Sequence, residues 1–307
     1  MIADKRFLNQ PKDFWAHIRS ISEGFGYTER GQGTVKVPSI SDIVEVLGAL
    51  GLRTDHLAVN GKATRFSEFL VAYFEHRATV LNDFVRRRLM DAAKAKKVFD
   101  ALHRKHRPDA RDIPMNKQSG DKKTPNYLQG IINILIRANC AGLKCNLTPR
   151  SLTTVTRDGK PLRTLARWID GAFPDTVNPI AVWEVKEHYH TTTFGSRVSG
   201  AIYETLLDGM ELDELRVNEG IEVKHYLMVD AYKTWWEDGR SYLCRIVDML
   251  HMGLIDEALF GFEVVERTPA IVKQWVRIYK DREAKKPIIA RQDGKMPAGG
   301  GNEPKPK

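Results

Sequence analysis

Apolar positions recur at helical spacing through the first third of the chain. Phe14, Trp15, Ile18 and Ile21 predict a helix from about Pro11 to Ser22, followed by a Gly-rich loop, GFGYTERGQGTV. Ile43, Val44, Val46, Leu47 and Leu50 predict a second helix, capped by Ser39 or Ser41 and ended by Gly51. Thr64 to about His106 reads as one long helix or two closely joined ones, with Phe69, Leu70, Tyr73, Phe74, Leu81, Val85 and Phe99 facing inward. Small helices of this kind build winged-helix DNA readers. Here, though, about a dozen residues separate the second helix from the third, far more than a helix-turn-helix turn holds.

The pattern then changes. Prolines and polar residues accumulate from Arg107 to Pro125, marking an exposed loop or linker. Asn126 to Asn139 is a strongly apolar helix. After it the period drops to two: Leu152 to Thr156, a turn at Asp158-Gly159, and Leu162 to Ile169 predict a hairpin. Ile180 to Val185 is a short apolar run after an Asn-Pro turn signal and reads as a strand buried on both faces. Gly195 and Ser196 launch a helix to about Met210, in which Val198, Ile202 and Leu206 face inward while Glu204 and Asp208 lie four apart on another face. Val223 to Val229 is a further strand, which a right-handed crossover sets parallel to the one before. Trp235 and Trp236 could stack on bases but read rather as core or dimer contacts, ahead of a helix over Ser241 to His251, with an edge strand over Ala258 to Val265 and a last helix over Ile271 to Tyr279. Residues 1–120 are thus expected to form a mainly helical domain and 121–290 an α/β domain. Residues 291–307 form a tail too poor in apolar content to pack.

Charge breaks the apolar pattern at one place. Glu184 and Lys186 interrupt the Ile180 to Val185 run, and alternation along a strand puts both on the face of Ile180 and Val182. Ionised groups so placed cost several kcal/mol each unless they are paired, hydrogen-bonded or bound to a metal. If Gly171 is only a bulge, the preceding strand reaches Asp175 before turning back at Asn178-Pro179. Asp175 then stands opposite Glu184, where cross-strand partners lie about 5 Å apart. A loop centred on Val177 sets Asp170 there instead. The stronger turn signal favours Asp175, with Asp170 as the alternative.

Pro174-Asp175, followed after eight residues by Glu184-Val185-Lys186, resembles the motif of the PD-(D/E)XK nuclease superfamily, which includes most type II restriction endonucleases. A helix followed by three antiparallel strands also resembles the opening of the restriction-endonuclease-like fold. The resemblance spans about Asn126 to Gly261. It implies a mixed sheet of about five strands flanked by helices. It also implies Mg2+ held by Asp175, Glu184 and the carbonyl of Val185, and Lys186 acting on the attacking water. The expected activity is Mg2+-dependent hydrolysis of DNA, as by a type II restriction enzyme or a phage-defence nuclease, with double-stranded DNA as partner. A restriction system further implies a companion DNA methyltransferase, and cutting two strands a homodimer. Two other functions fit the same residues: a structure-selective repair or recombination nuclease, and a DNA-binding regulator that keeps the fold without cutting.

Composition adds to this picture in one respect. The formal charge is +9 and the isoelectric point about 9.4, which favours a polyanionic partner. Most of the excess lies between Phe84 and Thr124, where thirteen lysines and arginines face five aspartates. Arg86, Arg87, Arg88, Lys96 and Lys97 are candidates for phosphate contact. Ser196 and Arg197, at a helix start with Thr191 to Thr193, form a second candidate phosphate cradle. His188 would share the face of Glu184 if the strand continued. Cys140, Cys145 and Cys244 read as reduced thiols, and no span is apolar enough for a membrane or a signal peptide, which suits a cytoplasmic protein. No Walker-type loop, Gly-x-Ser-x-Gly or His-Glu-x-x-His motif occurs.

Overall fold

In the computed structural model, which describes residues 1–28, 33–116, 124–190 and 195–285, the N-terminal third is helical. Helices α1 (Lys12–Phe25) and α2 (Ile40–Ala49) pack through Phe14, Ile18, Ile21, Ile43 and Leu47. Ser39 starts α2 through a reciprocal cap. Its hydroxyl accepts the Asp42 N–H at 3.2 Å, while the Asp42 carboxylate accepts the Ser39 N–H at 2.7 Å. A minimal hairpin, β1 (Ala58–Val59) and β2 (Lys62–Ala63), precedes α3 (Arg65–Thr79). A wide helical turn over 80–85 and the short α4 (Arg86–Arg88) come next, and Asp91 then caps α5 (Ala92–His106). The stretch from Thr64 to His106 is therefore broken at Leu89 and Met90. The reason is that the Met90 backbone is taken by the sheet: its N–H donates to Asp230 at 2.7 Å and its carbonyl accepts the Tyr232 N–H at 2.8 Å.

The remaining elements are α6 (Tyr127–Asn139), β3 (Thr154–Arg157), β4 (Lys160–Thr164), β5 (Gly171–Phe173), β6 (Ala181–Glu187), α7 (Ser196–Glu219), β7 (Lys224–Asp230), α8 (Arg240–His251), β8 (Glu257–Phe260) and α9 (Glu263–Ala284). One four-stranded mixed sheet runs β5-β6-β7-β8. In it β5 is antiparallel to β6, while β6, β7 and β8 are mutually parallel. Strands β3 and β4 turn at Asp158-Gly159, both with positive φ, and form a separate two-stranded sheet. Among the described residues the main sheet thus has four strands where about five were expected, because the first hairpin stays outside it.

Helices cover both faces of the sheet. Trp183, Tyr226, Met228 and Leu259 point towards α6 and α9, where Trp275 stacks on Trp183 with ring centroids 5.4 Å apart. Leu227, Val229, Ala258 and Phe260 point towards α7 and α8, and this layer takes in Trp235 and Trp236 as core residues. The three cysteines are free and buried. Ala95 and Phe99 of α5 belong to the same apolar cluster as α6 and the sheet. A Cβ on Gly130 of α6 would come within 2.6 Å of the Phe99 ring, so glycine is what lets the two helices close. Thus α5, which the sequence places in a helical domain ending at 120, packs in the α/β body. The N-terminal helices are tied to that body by the buried Arg77, which donates to Asp248 of α8 at 3.1 Å, and by the Tyr73 hydroxyl, which donates to the same carboxylate at 2.6 Å. The tail, 291–307, lies outside the described residues. Among the described residues, no helix is long and apolar enough to cross a membrane.

Asp230 is the residue that brings the basic segment 86–97 to the carboxyl end of the parallel strands. It is fully buried, and burial, opposed by hydrogen bonds from Tyr189, Met90 and Ala231, pushes its pKa up to about 7. Tyr189 and Glu187 are the titratable groups facing it. The folded chain holds a proton here that the unfolded chain releases near about pH 4, so this contribution to stability fades as pH rises from about 4 to about 7. Asp230→Asn keeps an acceptor for Met90 but cannot ionise. Its melting temperature relative to the parent is expected to rise between about pH 5 and about pH 8. A difference that stays constant across that range would contradict the assignment.

Candidate functional site

Glu184 and Lys186 stand on the α7 side of β6, as alternate residues of one strand must, and both are buried. Strand β5 pairs with β6 so that Gly171 opposes Trp183, Ala172 opposes Val182 and Phe173 opposes Ala181. One step further along this register is Asp170 opposite Glu184. The Asp170 N–H donates to Glu184 Oε1 at 3.2 Å, and Asp170 Oδ2 accepts the Val185 N–H at 2.8 Å. The Val185 carbonyl opens on the same edge of the strand as its N–H.

Asp175 is elsewhere, which corrects the expected pairing with Glu184. Its carboxylate accepts from Lys144, from Asn146 Nδ2 at 2.8 Å and from the Thr176 N–H at 2.8 Å. The physical reason lies in the segment after β5. Residues 176–178 do not continue that strand but bond to β3: Thr154 N–H donates to the Thr176 carbonyl, Asn178 N–H to the Thr154 carbonyl, and the Asn178 side chain pairs with Thr156. The Asn-Pro signal therefore ends an excursion along the hairpin and is not the centre of the β5–β6 turn. Gly171 is paired within the ladder and is no bulge.

Three residues that sequence reasoning did not place in the site complete it. Arg167, in the loop after β4, donates to Glu184 at 3.2 Å, to Asp208 at 2.6 Å and to Glu204 at 3.3 Å. Buried Leu165 and Ile169 on either side hold this loop in an apolar cluster with Val182, Leu212 and Leu215. Lys186 donates to Glu184 at 2.8 Å and to Glu204 at 2.9 Å. Glu204 and Asp208, one turn apart on α7, point at β6. Their one signal in the sequence was the pair of like charges four residues apart, which destabilises a helix unless something answers it.

Four carboxylates and two cations share this space. Burial alone would raise the Glu184 pKa, but Lys186 and Arg167 outweigh it and hold the group below its ordinary value. Burial would lower that of Lys186, yet Glu184 and Asp170 more than offset it, and the ammonium stays above its usual range. Arg167 is likewise stabilised as a cation against its own burial, by Glu184, Asp208 and Glu204. Burial and the neighbouring Glu184 charge push Asp170 up to about 7, and the same two causes push Asp208 up to about 7. The acids outnumber the bases, and Asp208 Oδ1, fully buried, has no hydrogen-bond partner. Among the described residues, no group of three or more His, Cys, Asp or Glu side chains is arranged to hold a metal ion, and here the acids are drawn onto Arg167 and Lys186.

Comparison with protein families places all six of these residues within one match. The domain of unknown function DUF7687 matches residues 90–275. The chain belongs to that family. A second domain of unknown function, DUF7690, matches residues 1–84. No curated protein and no solved structure matches the chain. The two matches meet between 84 and 90, beside the Leu89–Met90 break, and Asp170, Glu184, Lys186, Arg167, Glu204 and Asp208 all fall in the DUF7687 part.

The other candidates are dispersed. Arg86 lies over the Trp236 ring, Arg88 pairs with Glu266, and Lys96 pairs with Asp100 at 2.6 Å, while Arg87 and Lys97 are exposed. These residues sit at the end of the sheet where β6 and β7 terminate, because Phe262 N–H bonds the Arg88 carbonyl and Asp230 holds Met90. Ser196 is exposed at the start of α7, and Gly195 precedes it without a side-chain cap. Thr191 to Thr193 and the Arg197 side chain lie outside the described residues. His188 comes just after the end of β6 and packs against Trp235 with ring centroids 5.5 Å apart.

Gly171 decides the register. A Cβ at that position would fall within 2.0 Å of the Trp183 indole, and Trp183 cannot retreat because Trp275 is stacked on its other side. Gly171→Ala is expected to cost about 1–3 kcal/mol in urea denaturation, as overpacking of a filled core does. A variant as stable as the parent would mean that β5 and β6 are not paired as described.

Proposed function

We propose that the chain is a metal-dependent DNA nuclease of the PD-(D/E)XK type, with Asp170 in the role first expected of Asp175. One observation carries the proposal: Asp170 stands directly opposite Glu184, and Lys186, two residues on along the same face, donates to Glu184 at 2.8 Å. The order of elements supports it. An apolar helix, a hairpin, an antiparallel strand pair, a crossover helix and a parallel strand succeed one another in the order that the resemblance implies, although the hairpin forms its own two-stranded sheet. The basic segment held at the same end of the sheet supports a DNA partner.

The donor set suits a hard divalent cation. Asp170, Glu184 and the Val185 carbonyl would supply oxygens once the acids are released from Arg167 and Lys186, which now draw them away from a metal-holding arrangement, and Asp208 Oδ1 lacks a partner. Mg2+, when bound there, lowers the pKa of a coordinated water and neutralises charge on the phosphate. Lys186, kept cationic by Glu184 and Asp170, orients the attacking water and donates to the phosphate oxygen on which charge develops. Glu184 fixes the Lys186 rotamer, and Glu204 holds it from the solvent side.

A second function has its own support. The same carboxylates are already answered by Arg167 and Lys186, which is what a non-cleaving DNA-binding protein on this fold would retain. Plasmid and phage DNA incubated with the protein, with Mg2+ or with EDTA, separates the two. Strand breaks only with Mg2+ are expected, and a footprint without breaks would favour the regulator. A fixed cleavage position points to a restriction enzyme, and cutting at branches or ends to a repair nuclease. Asp170→Ala, Glu184→Ala and Lys186→Ala are each expected to lose about 100-fold or more of the cleavage rate while retaining DNA binding. Asp175→Ala should cleave like the parent. Undiminished cleavage by Asp170→Ala would contradict the assignment.

A further inference from the structure

Every acid that faces the α7 side of the site except Asp170 is bound to one guanidinium. Arg167 Nη1 lies 3.0 Å from Glu184 Oε1 and 2.6 Å from Asp208 Oδ2, while Nη2 lies 3.2 Å from Glu184 Oε2 and 3.3 Å from Glu204 Oε2. Both oxygens of Glu184 are thereby engaged by Arg167, and they also accept from the Asp170 N–H and from Lys186. A cation that reaches Glu184 has to break at least one of these bonds. The two basic residues differ in how readily they yield. Lys186 is buried on a strand in the middle of the sheet, whereas Arg167 is part-exposed in a loop, with the exposed Glu204 and Trp168 beside it. The Arg167 side chain can leave towards solvent without moving its backbone, which Leu165 and Ile169 anchor. Nor does the guanidinium satisfy the cluster it holds, since Asp208 Oδ1 remains buried without a partner.

Resting on the ion site proposed above, we propose that Arg167 is a latch on that site: its guanidinium occupies the position a divalent cation takes, and binding of the cation expels it towards solvent. Apparent affinity for the cation is then reduced by the fraction of molecules in which the latch is closed. Asp208 and Glu204 are the acids that Arg167 leaves behind, so the α7 acids belong to the ion site as well as Asp170 and Glu184. The latch also keeps three acids from repelling one another before a cation arrives.

The test is calorimetric titration of the full chain with Ca2+, without DNA, for the parent, Arg167→Met, Lys186→Met and Glu184→Gln. Arg167→Met is expected to bind about 10-fold more tightly than the parent. Lys186→Met, which removes the same charge but leaves the latch in place, should gain less, and Glu184→Gln should lose binding. Equal gains in Arg167→Met and Lys186→Met, or none in Arg167→Met, would overturn the latch while leaving the ion site standing. Failure of the parent and of Arg167→Met to bind Ca2+ would overturn both. An independent measurement needs no variant. Trp168 is 58% exposed and the other five tryptophans are buried, so iodide quenching of tryptophan fluorescence reports on the residue next to Arg167. Saturating Ca2+ should increase iodide quenching of the parent, because a released guanidinium attracts the anion. Unchanged quenching at saturation would overturn the latch even if Arg167→Met proved unable to fold.

Discussion

The absence of a side chain on Gly171 is the constraint on which the site depends. Trp183 fills the space opposite, pressed from beyond by Trp275, and only a glycine lets β5 approach β6 there. A strand register is a discrete choice, and a shift of one residue would turn every side chain to the other face. With Gly171 fixed against Trp183, Asp170 meets Glu184. The same pairing leaves Asp175 beyond the end of β5, where Lys144 and Asn146 hold it. A packing requirement on one face of the sheet thus sets which acid reaches Glu184 on the other.

That register creates a problem of charge. Glu184 is almost wholly buried, and an unanswered carboxylate there would be costly. The fold answers it twice, with Lys186 from the same strand and with Arg167 from the loop between β4 and β5. Glu204 and Asp208 of α7 add two further acids, and burial beside Glu184 pushes Asp208, like Asp170, up to about 7. In the function proposed above, this cluster would take a cation, and the basic segment clamped beyond the carboxyl end of β7 through Met90 and Asp230 would take a polyanion.

Much of this was legible in the sequence, for reasons that can be named. Glu184 and Lys186 stood out because charges inside an apolar run are expensive, and the strand they lie on forms as its residues indicate. The parallel β7 was expected from the handedness of a crossover, and a serine cap of α2 from Ser39 or Ser41, of which Ser39 serves. What could not be read depended on contacts distant in the chain. The choice between Asp170 and Asp175 turns on the bonding of 176–178 to β3, which local turn preferences do not reveal. Arg167 sits in a stretch whose apolar residues, Leu165 and Ile169, suggested a strand but instead pin a loop. Glu204 and Asp208 were visible as a pair on α7, yet the face of the helix that meets β6 is set by the whole layer of Val198, Ile202, Leu227 and Val229. The break at Met90 has no local cause in the sequence, since its partner, Asp230, is 140 residues away.

Asp170, and not Asp175, is the acid proposed to join Glu184 in gripping a divalent ion. Diffraction from crystals grown with Mn2+, recorded at the manganese absorption edge, tests this most directly. An anomalous peak is expected within coordination distance of Asp170 and Glu184, with the Arg167 guanidinium displaced from Glu184. A peak at Asp175, or Arg167 still closed on Glu184 with no peak between Asp170 and Glu184, would contradict it.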